Sequence, residues 1–138
     1  MLFRSSRPAE IIFTSGATEA NNLAIRGVAE AWPEAEILVS SAEHESVLAP
    51  AIYAGAKKIP VLRTGLVDKL WLEKNISSKT VLLSVMLVNN ELGSLQPLRE
   101  IAELVKKERL TRNSRGNKLP IYLHTDAAQA ANFFDLHV

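Results

Sequence analysis

The chain contains no cysteine among its 138 residues, and this absence excludes three kinds of chemistry. A disulfide framework cannot form, and no thiolate metal site can exist within the chain. A cysteine nucleophile is excluded for the same reason. Any reaction that needs a protein thiol must therefore take it from outside these residues.

Long apolar runs and an excess of one charge are also absent. The longest apolar run, residues 81–88, is interrupted by Ser84 and is far shorter than the roughly 20 residues of a membrane span. The first ten residues lack a secretory hydrophobic core, and we expect a cytoplasmic location. A net charge of +1 gives no global field that would attract nucleic acid. We therefore expect neither a membrane nor a nucleic acid as partner.

The composition that remains is that of a folded domain. Apolar residues make up 47% and charged residues 22%, close to globular averages. Enough apolar surface is available to offset the conformational entropy of the chain. The length fits one domain.

Short apolar runs alternate with helical patterns along the chain. This alternation predicts an α/β fold of three layers, with helices on both faces of a mostly parallel sheet. Strands are predicted at residues 11–13, 37–39, 58–62, 81–88 and 121–124, and helices at residues 17–32, 45–54, 68–74 and from 98 onward. Ligands of such sheets bind beyond the carboxyl ends of the strands. The residues that follow each strand are therefore the candidates for function.

Residues 106–118 carry six basic residues and one acidic residue. A nucleic-acid patch would need interleaved aromatic residues and a recognisable binding module, and neither is present. We interpret the stretch as a basic surface insertion, in which a solvated helix end runs into a polar loop.

Two candidate groups follow the first two predicted strands. The segment TSGATE, residues 14–19, places a small turn at a helix start, where free backbone N–H groups and the helix dipole favour an anion. The alternative is an ordinary helix cap made by Ser15 or Thr18. His44 follows the second strand and could cap a helix, stack on a flat ring or move a proton.

Two further candidates follow later strands. Asn89 and Asn90 come after the fourth strand and could bind a ligand or simply make a turn. Asp126 follows the last strand and could cap a short helical stretch or hold a protonated ring nitrogen.

A phosphate cradle, an imidazole, two amides and a carboxylate at one edge suit pyridoxal 5'-phosphate, whose ring acts as an electron sink when its nitrogen is protonated.

Four motifs occur in an order that resembles the cysteine desulfurase family. They are FTSGATEANNLAI at residues 13–25, EHESVL at 43–48, VNNELG at 88–93 and HTDAAQ at 124–129. The family includes the selenocysteine lyases and lies in the class V aminotransferase group of fold-type I pyridoxal-phosphate enzymes. Ala42, just before the second motif, and Leu92, within the third, depart from the residues common at these positions, and neither is a proposed ligand.

The resemblance implies a role for each motif residue. Ala17 and Thr18 would bind the cofactor phosphate. His44 would stack over the pyridine ring and assist proton transfer. Asn90 would lie near the ring hydroxyl and the substrate carboxylate.

The last motif supplies the other two implied cofactor contacts. Asp126 would pair with the pyridine nitrogen, and Gln129 would hydrogen-bond the phenolate oxygen of the ring. The family's Schiff-base lysine and sulfur-accepting cysteine have no counterpart in this chain. The resemblance therefore covers residues 1–138 as a partial cofactor-binding domain, and we expect the chain alone to have negligible activity.

The resemblance also implies the reaction and partners of the complete enzyme. L-cysteine would be converted to L-alanine, and its sulfur would pass to an enzyme persulfide and then to a sulfur-acceptor or scaffold protein, as in iron-sulfur cluster assembly. A homodimer is expected. The alternatives are a non-catalytic binding remnant of the same fold, a selenocysteine lyase, and another aminotransferase of the same group.

Overall fold

The computed structural model describes residues 7–131 and 133–134, and its centre is a four-stranded parallel sheet. The strands are β1 (Glu36–Ser40), β2 (Lys57–Ile59), β3 (Thr80–Ser84) and β4 (Tyr122–His124), in the spatial order β2-β1-β3-β4. The helices are α1 (Ala17–Ala31), α2 (Glu45–Tyr53), α3 (Lys69–Asn75) and α4 (Leu98–Ser114). A short 3-10 helix spans Pro8–Glu10.

Helices cover both faces of the sheet, so the predicted three-layer α/β/α architecture is confirmed. On one face, Ile25 of α1 and Val47 of α2 pack with Val39 of β1. On the other face, Leu72 of α3 and Ile101 of α4 pack against the sheet. All five residues of β3 are buried, as expected for a central strand of a parallel sheet.

Local sequence signals set the bounds of the helices. Asp68 caps α3 by accepting a hydrogen bond from the N–H of Trp71 at 3.0 Å. The end of α1 comes just before Pro33, whose ring excludes the helical hydrogen bond. Pro60 directly follows β2, which is an edge strand.

Three expectations about secondary structure differ from the structure. Residues 11–13 form no strand, and the side chains of Ile12 and Phe13 are 70% and 94% exposed. A strand needs a neighbour for its backbone groups, and this segment pairs with none of the four described strands. The short helical stretch over residues 127–131 that Asp126 could cap is not formed, and residues 128–131 form turns. The strand predicted over 81–88 ends at Ser84, and the residues beyond it form a loop.

The basic stretch at 106–118 is mostly helix and contains one buried cation. It occupies the last turns of α4 and the loop after them, which confirms the interpretation of a helix end that runs into a loop. Arg112, however, is only 2% exposed, so the prediction of a solvated surface is wrong at this position. Whether the stretch is an insertion stays a prediction.

Large apolar side chains are exposed on the described part of the chain. Phe13, Tyr53 and Phe133 are each more than 80% exposed. Among the described residues, no helix is long and apolar enough to cross a membrane.

Candidate functional site

A cavity of about 160 Å³ lies beyond the carboxyl ends of the strands. We call it the edge pocket. It is lined by all six residues that the sequence nominated and by three more: Ala17, Thr18, His44, Ser46, Met86, Asn90, Asp126, Ala128 and Gln129. These residues come from four separate chain segments, which the parallel topology brings to one edge.

The start of α1 contributes backbone donors to the edge pocket. Gly16 is the N-cap residue and makes no side-chain cap, which corrects the alternative that Ser15 or Thr18 caps the helix. Ser15 instead donates its N–H and its hydroxyl to Glu19, each at 2.7 Å, and these bonds lower the pKa of Glu19. Among the described residues, the N–H groups of Ala17 and Thr18 have no hydrogen-bond partner. They remain available to an anion.

His44 is the N-cap of α2 and also lines the edge pocket. Its Nδ1 accepts a hydrogen bond from the N–H of Ser46 at 3.1 Å. Because a backbone N–H can only donate, Nδ1 is unprotonated, and the proton of the neutral ring is on Nε2. His44 therefore caps the helix, as the sequence analysis allowed, and lines the pocket at the same time.

Asp126 is half-buried and has a fixed orientation. Its Oδ1 accepts the N–H of Ala128 at 2.9 Å, and its Oδ2 accepts the side-chain amide of Asn21 at 2.8 Å. No cation within the described part of the chain forms an ion pair with Asp126. The carboxylate thus lines the pocket with its charge unpaired.

Asn21 is a site residue that the sequence analysis missed. Its side chain is 4% exposed and donates to both Asp126 and the hydroxyl of Ser46, at 2.8 and 2.9 Å. The hydroxyl of Ser46 in turn lies 2.9 Å from Nδ1 of His44. A network therefore links the carboxylate to the imidazole. The signal was a polar residue on the buried stripe of α1, four residues before Ile25.

The two adjacent asparagines divide their roles. Asn89 is buried and makes the turn, because its Oδ1 accepts the N–H groups of Glu91 and Leu92 at 3.0 and 2.7 Å. Its amide also donates to the carbonyl of Ala42 at 2.9 Å, which ties the loops after β3 and β1 together. Asn90 is exposed and lines the pocket.

A second histidine, His124, is half-buried at the end of β4, two residues before Asp126. His124 faces Ser84 across the β3–β4 pair, and its Nδ1 lies 2.9 Å from the serine hydroxyl. Burial lowers the pKa of His124, and the negative charge of Asp126 opposes this shift. A lowered pKa favours the neutral form of the His124 ring.

The sequence of the chain matches a known protein family. A sequence profile of the family described as aminotransferase class-V matches residues 2–135, nearly the whole chain. The chain belongs to the class-V aminotransferase family. Its arrangement of helices on a parallel sheet agrees with that assignment.

Named relatives of this family member are cysteine desulfurases. The mitochondrial cysteine desulfurase of Drosophila melanogaster is 41% identical over 95% of this chain and 28% of its own length. The cysteine desulfurase IscS of Dictyoglomus turgidum is 38% identical over 94% of this chain and 32% of its own length. The chain therefore spans about a third or less of these relatives.

Solved structures of similar proteins share the fold. The structure titled "SspA in complex with cysteine" matches with a TM-score of 0.79 and 34% identity, over 96% of this chain and 37% of that one. A NifS-like protein matches with a TM-score of 0.76 and 34% identity, over 88% of this chain and 33% of that one.

Proposed function

We propose that this chain is the pyridoxal-phosphate-binding part of a cysteine desulfurase. The observation that carries the proposal is the edge pocket, where all six nominated residues converge from four chain segments. The similarity to named cysteine desulfurases supports the same conclusion.

The residues of the edge pocket fit the three polar parts of the cofactor. The N–H groups at the start of α1 suit a dianionic phosphate. The anchored and unpaired carboxylate of Asp126 suits a protonated pyridine nitrogen, which would supply the missing cation. Asn90 and Gln129 add side-chain amides for the ring oxygen and the substrate carboxylate.

When bound, pyridoxal phosphate supplies an electron sink for reactions at the α-carbon of an amino acid. Asp126 would keep the ring nitrogen protonated, and Asn21 would hold Asp126 in place. His44, with Nδ1 occupied by Ser46, would exchange a proton through Nε2.

The net reaction that we propose transfers one sulfur atom. The carbon–sulfur bond of L-cysteine breaks, a sulfur–sulfur bond forms with a protein thiol, and the thiol's proton balances the new carbon–hydrogen bond of L-alanine. This chain has no cysteine and so provides no thiol for the persulfide.

Binding of pyridoxamine phosphate tests the proposed cofactor site. This form has no aldehyde, so it cannot react with surface lysines. We expect saturable binding in calorimetry, and we expect Asp126→Ala to weaken it at least tenfold, while the exposed Glu34→Gln control stays within threefold of wild type. Undetectable binding, or equal affinity of the Asp126→Ala variant, would contradict the cofactor site.

The reaction itself is tested in the complete gene product. We expect it to release alanine and sulfide from L-cysteine in the presence of a thiol reductant, and we expect Asp126→Ala to lower kcat by at least a hundredfold, because the electron sink is weakened. A product that binds pyridoxamine phosphate but releases neither compound would instead be a non-catalytic remnant. Faster turnover of selenocysteine, or amino-group transfer to a keto acid, would identify the other two alternatives.

The proposed partners follow from the same relationship. We propose a homodimer and a sulfur-acceptor protein of iron-sulfur cluster assembly for the complete gene product. An open groove of about 760 Å³ along α1 and α2 adjoins the edge pocket and is lined by Thr18, His44 and the exposed Tyr53. Sedimentation of the wild type and of Tyr53→Glu tests the dimer, which the new charge should weaken.

A further inference from the structure

Glu43 is a buried acid directly before His44. It follows β1 and is 6% exposed, although a charged residue in a loop usually reaches solvent. Glu43 does not line the edge pocket.

The two carboxyl oxygens of Glu43 have different surroundings. Oε1 accepts a hydrogen bond from the N–H of Met86, a residue that lines the edge pocket. Oε2 is buried and has no hydrogen-bond partner among the described residues. In the same part of the chain, no lysine, arginine or histidine nitrogen forms an ion pair with Glu43.

This geometry disfavours a charged carboxylate. An ionised carboxylate that leaves water needs a cation or several hydrogen-bond donors, and Glu43 has one donor. A protonated carboxyl group needs fewer hydrogen-bond donors than a carboxylate. Its carbonyl oxygen already accepts the N–H of Met86, and its second oxygen carries the proton.

We propose that Glu43 is protonated in the folded protein and acts as a positioning residue that holds Met86 at the edge pocket. Asp126 is the one acidic side chain among the described residues lining that pocket, and a neutral Glu43 adds no second negative charge beside it. A second negative charge there would repel the phosphate of the cofactor. The positioning role rests on the proposed cofactor function, whereas the protonation state does not.

The electrostatics of the site agree with this assignment. Burial raises the pKa of Glu43 to about 8, and the N–H of Met86 opposes part of that rise. The negative charge of Asp126 raises the pKa further.

Carbon-13 NMR of the side-chain carboxyl groups tests the protonation state without any cofactor. The Glu43 resonance is identified as the one missing from the Glu43→Gln spectrum. We expect it to have the shift of a protonated acid at pH 6 to 7 and to titrate near pH 8. A carboxylate shift at pH 6 would overturn the proposal, and this measurement needs only the wild-type protein to be folded.

Affinity for pyridoxamine phosphate tests the positioning role. At pH 7 we expect Glu43→Gln to bind within threefold of wild type, because its amide oxygen can still accept the N–H of Met86. We expect Glu43→Ala to bind at least tenfold more weakly, and the Glu34→Gln control to match wild type. Equal losses in the Gln and Ala variants, or no loss in either, would overturn the role.

A pH series separates positioning from general structural damage. We expect the wild type to lose affinity relative to Glu43→Gln as the pH rises through about 8, since only the wild type gains a charge there. A constant ratio of the two affinities would overturn the proposal. If the wild type binds no pyridoxamine phosphate at any pH, the cofactor function fails, and the NMR titration still decides the state of Glu43.

Discussion

Both ends of the sheet hold ionisable side chains away from solvent, but only the amino end supplies all their hydrogen-bond partners. At the amino end, Arg112 uses all five of its N–H donors: Nε on Glu108, Nη1 on the carbonyls of residues 119 and 120, and Nη2 on those of residues 77 and 80. At the carboxyl end, the edge pocket contains an unpaired Asp126 and lies next to Glu43, which has one unpartnered oxygen.

This difference separates stability from function. A buried polar group whose partners are all present fixes the structure, whereas one that lacks a partner is costly to the folded state and available to a ligand. The amino end therefore holds β3, α4 and the segment before β4 together. The carboxyl end keeps polar groups whose partners are incomplete, and these groups are available to a ligand.

The largest expected effect is at the amino end. Arg112→Ala removes five hydrogen bonds of a buried guanidinium, and four carbonyls and Glu108 lose this donor, so we expect the free energy of unfolding to fall by about 3–5 kcal/mol. Urea unfolding followed by circular dichroism measures this loss. The exposed Arg115→Ala is the matched control, with an expected loss under about 0.5 kcal/mol. Equal losses in the two variants would contradict the contrast between the ends.

A pH-dependent effect is expected at the carboxyl end. The unfolded Glu43 releases its proton near the ordinary pKa of 4.5, while the folded residue holds it to about pH 8. Between these values the unfolded state binds fewer protons, so Glu43 makes the free energy of unfolding fall as pH rises, by at most about 1.4 kcal/mol per pH unit. Urea midpoints of the wild type and Glu43→Gln from pH 5 to 9 measure this term, which the variant should lack. Parallel curves would show that Glu43 is not protonated in the fold.

A smaller effect is expected at the link between α1 and Asp126. Asn21→Ala removes the two hydrogen bonds that the Asn21 amide donates, one to Asp126 and one to Ser46. We expect affinity for pyridoxamine phosphate to fall about tenfold, which is about 1.4 kcal/mol. Asn22→Ala, one position along the helix, removes no bond to Asp126 and should stay within threefold. Similar losses in both variants would argue against a positioning role for Asn21.

The sequence predicts the elements of this fold better than its buried polar groups. Periodicity and caps locate α1 and α3 nearly to the residue, because these signals are local. The strand predicted at residues 11–13 fails because a strand depends on a neighbour, which no local pattern contains. Arg112 was assigned to solvent from its charge, although it lies seven residues after Val105 on the buried stripe of α4.

At the site, the order of the motifs identified the residues that line the pocket. It did not identify the residues whose hydrogen bonds hold that lining in place. His44, Asn90 and Asp126 follow strands, and parallel topology alone brings them together. Asn21, Glu43 and Asn89 act through hydrogen bonds to residues distant in sequence, and only the folded structure shows those partners.

The most direct test of the central claim is amide NMR of the 138-residue chain titrated with pyridoxamine phosphate. We predict that the largest shift changes fall on the amides of Ala17, Thr18, Ser46 and Ala128 at the carboxyl end. The amides of Ser77 and Thr80, at the Arg112 end, should not move. Changes centred on Ser77 and Thr80, or no saturable change at all, would contradict a cofactor site at the edge pocket.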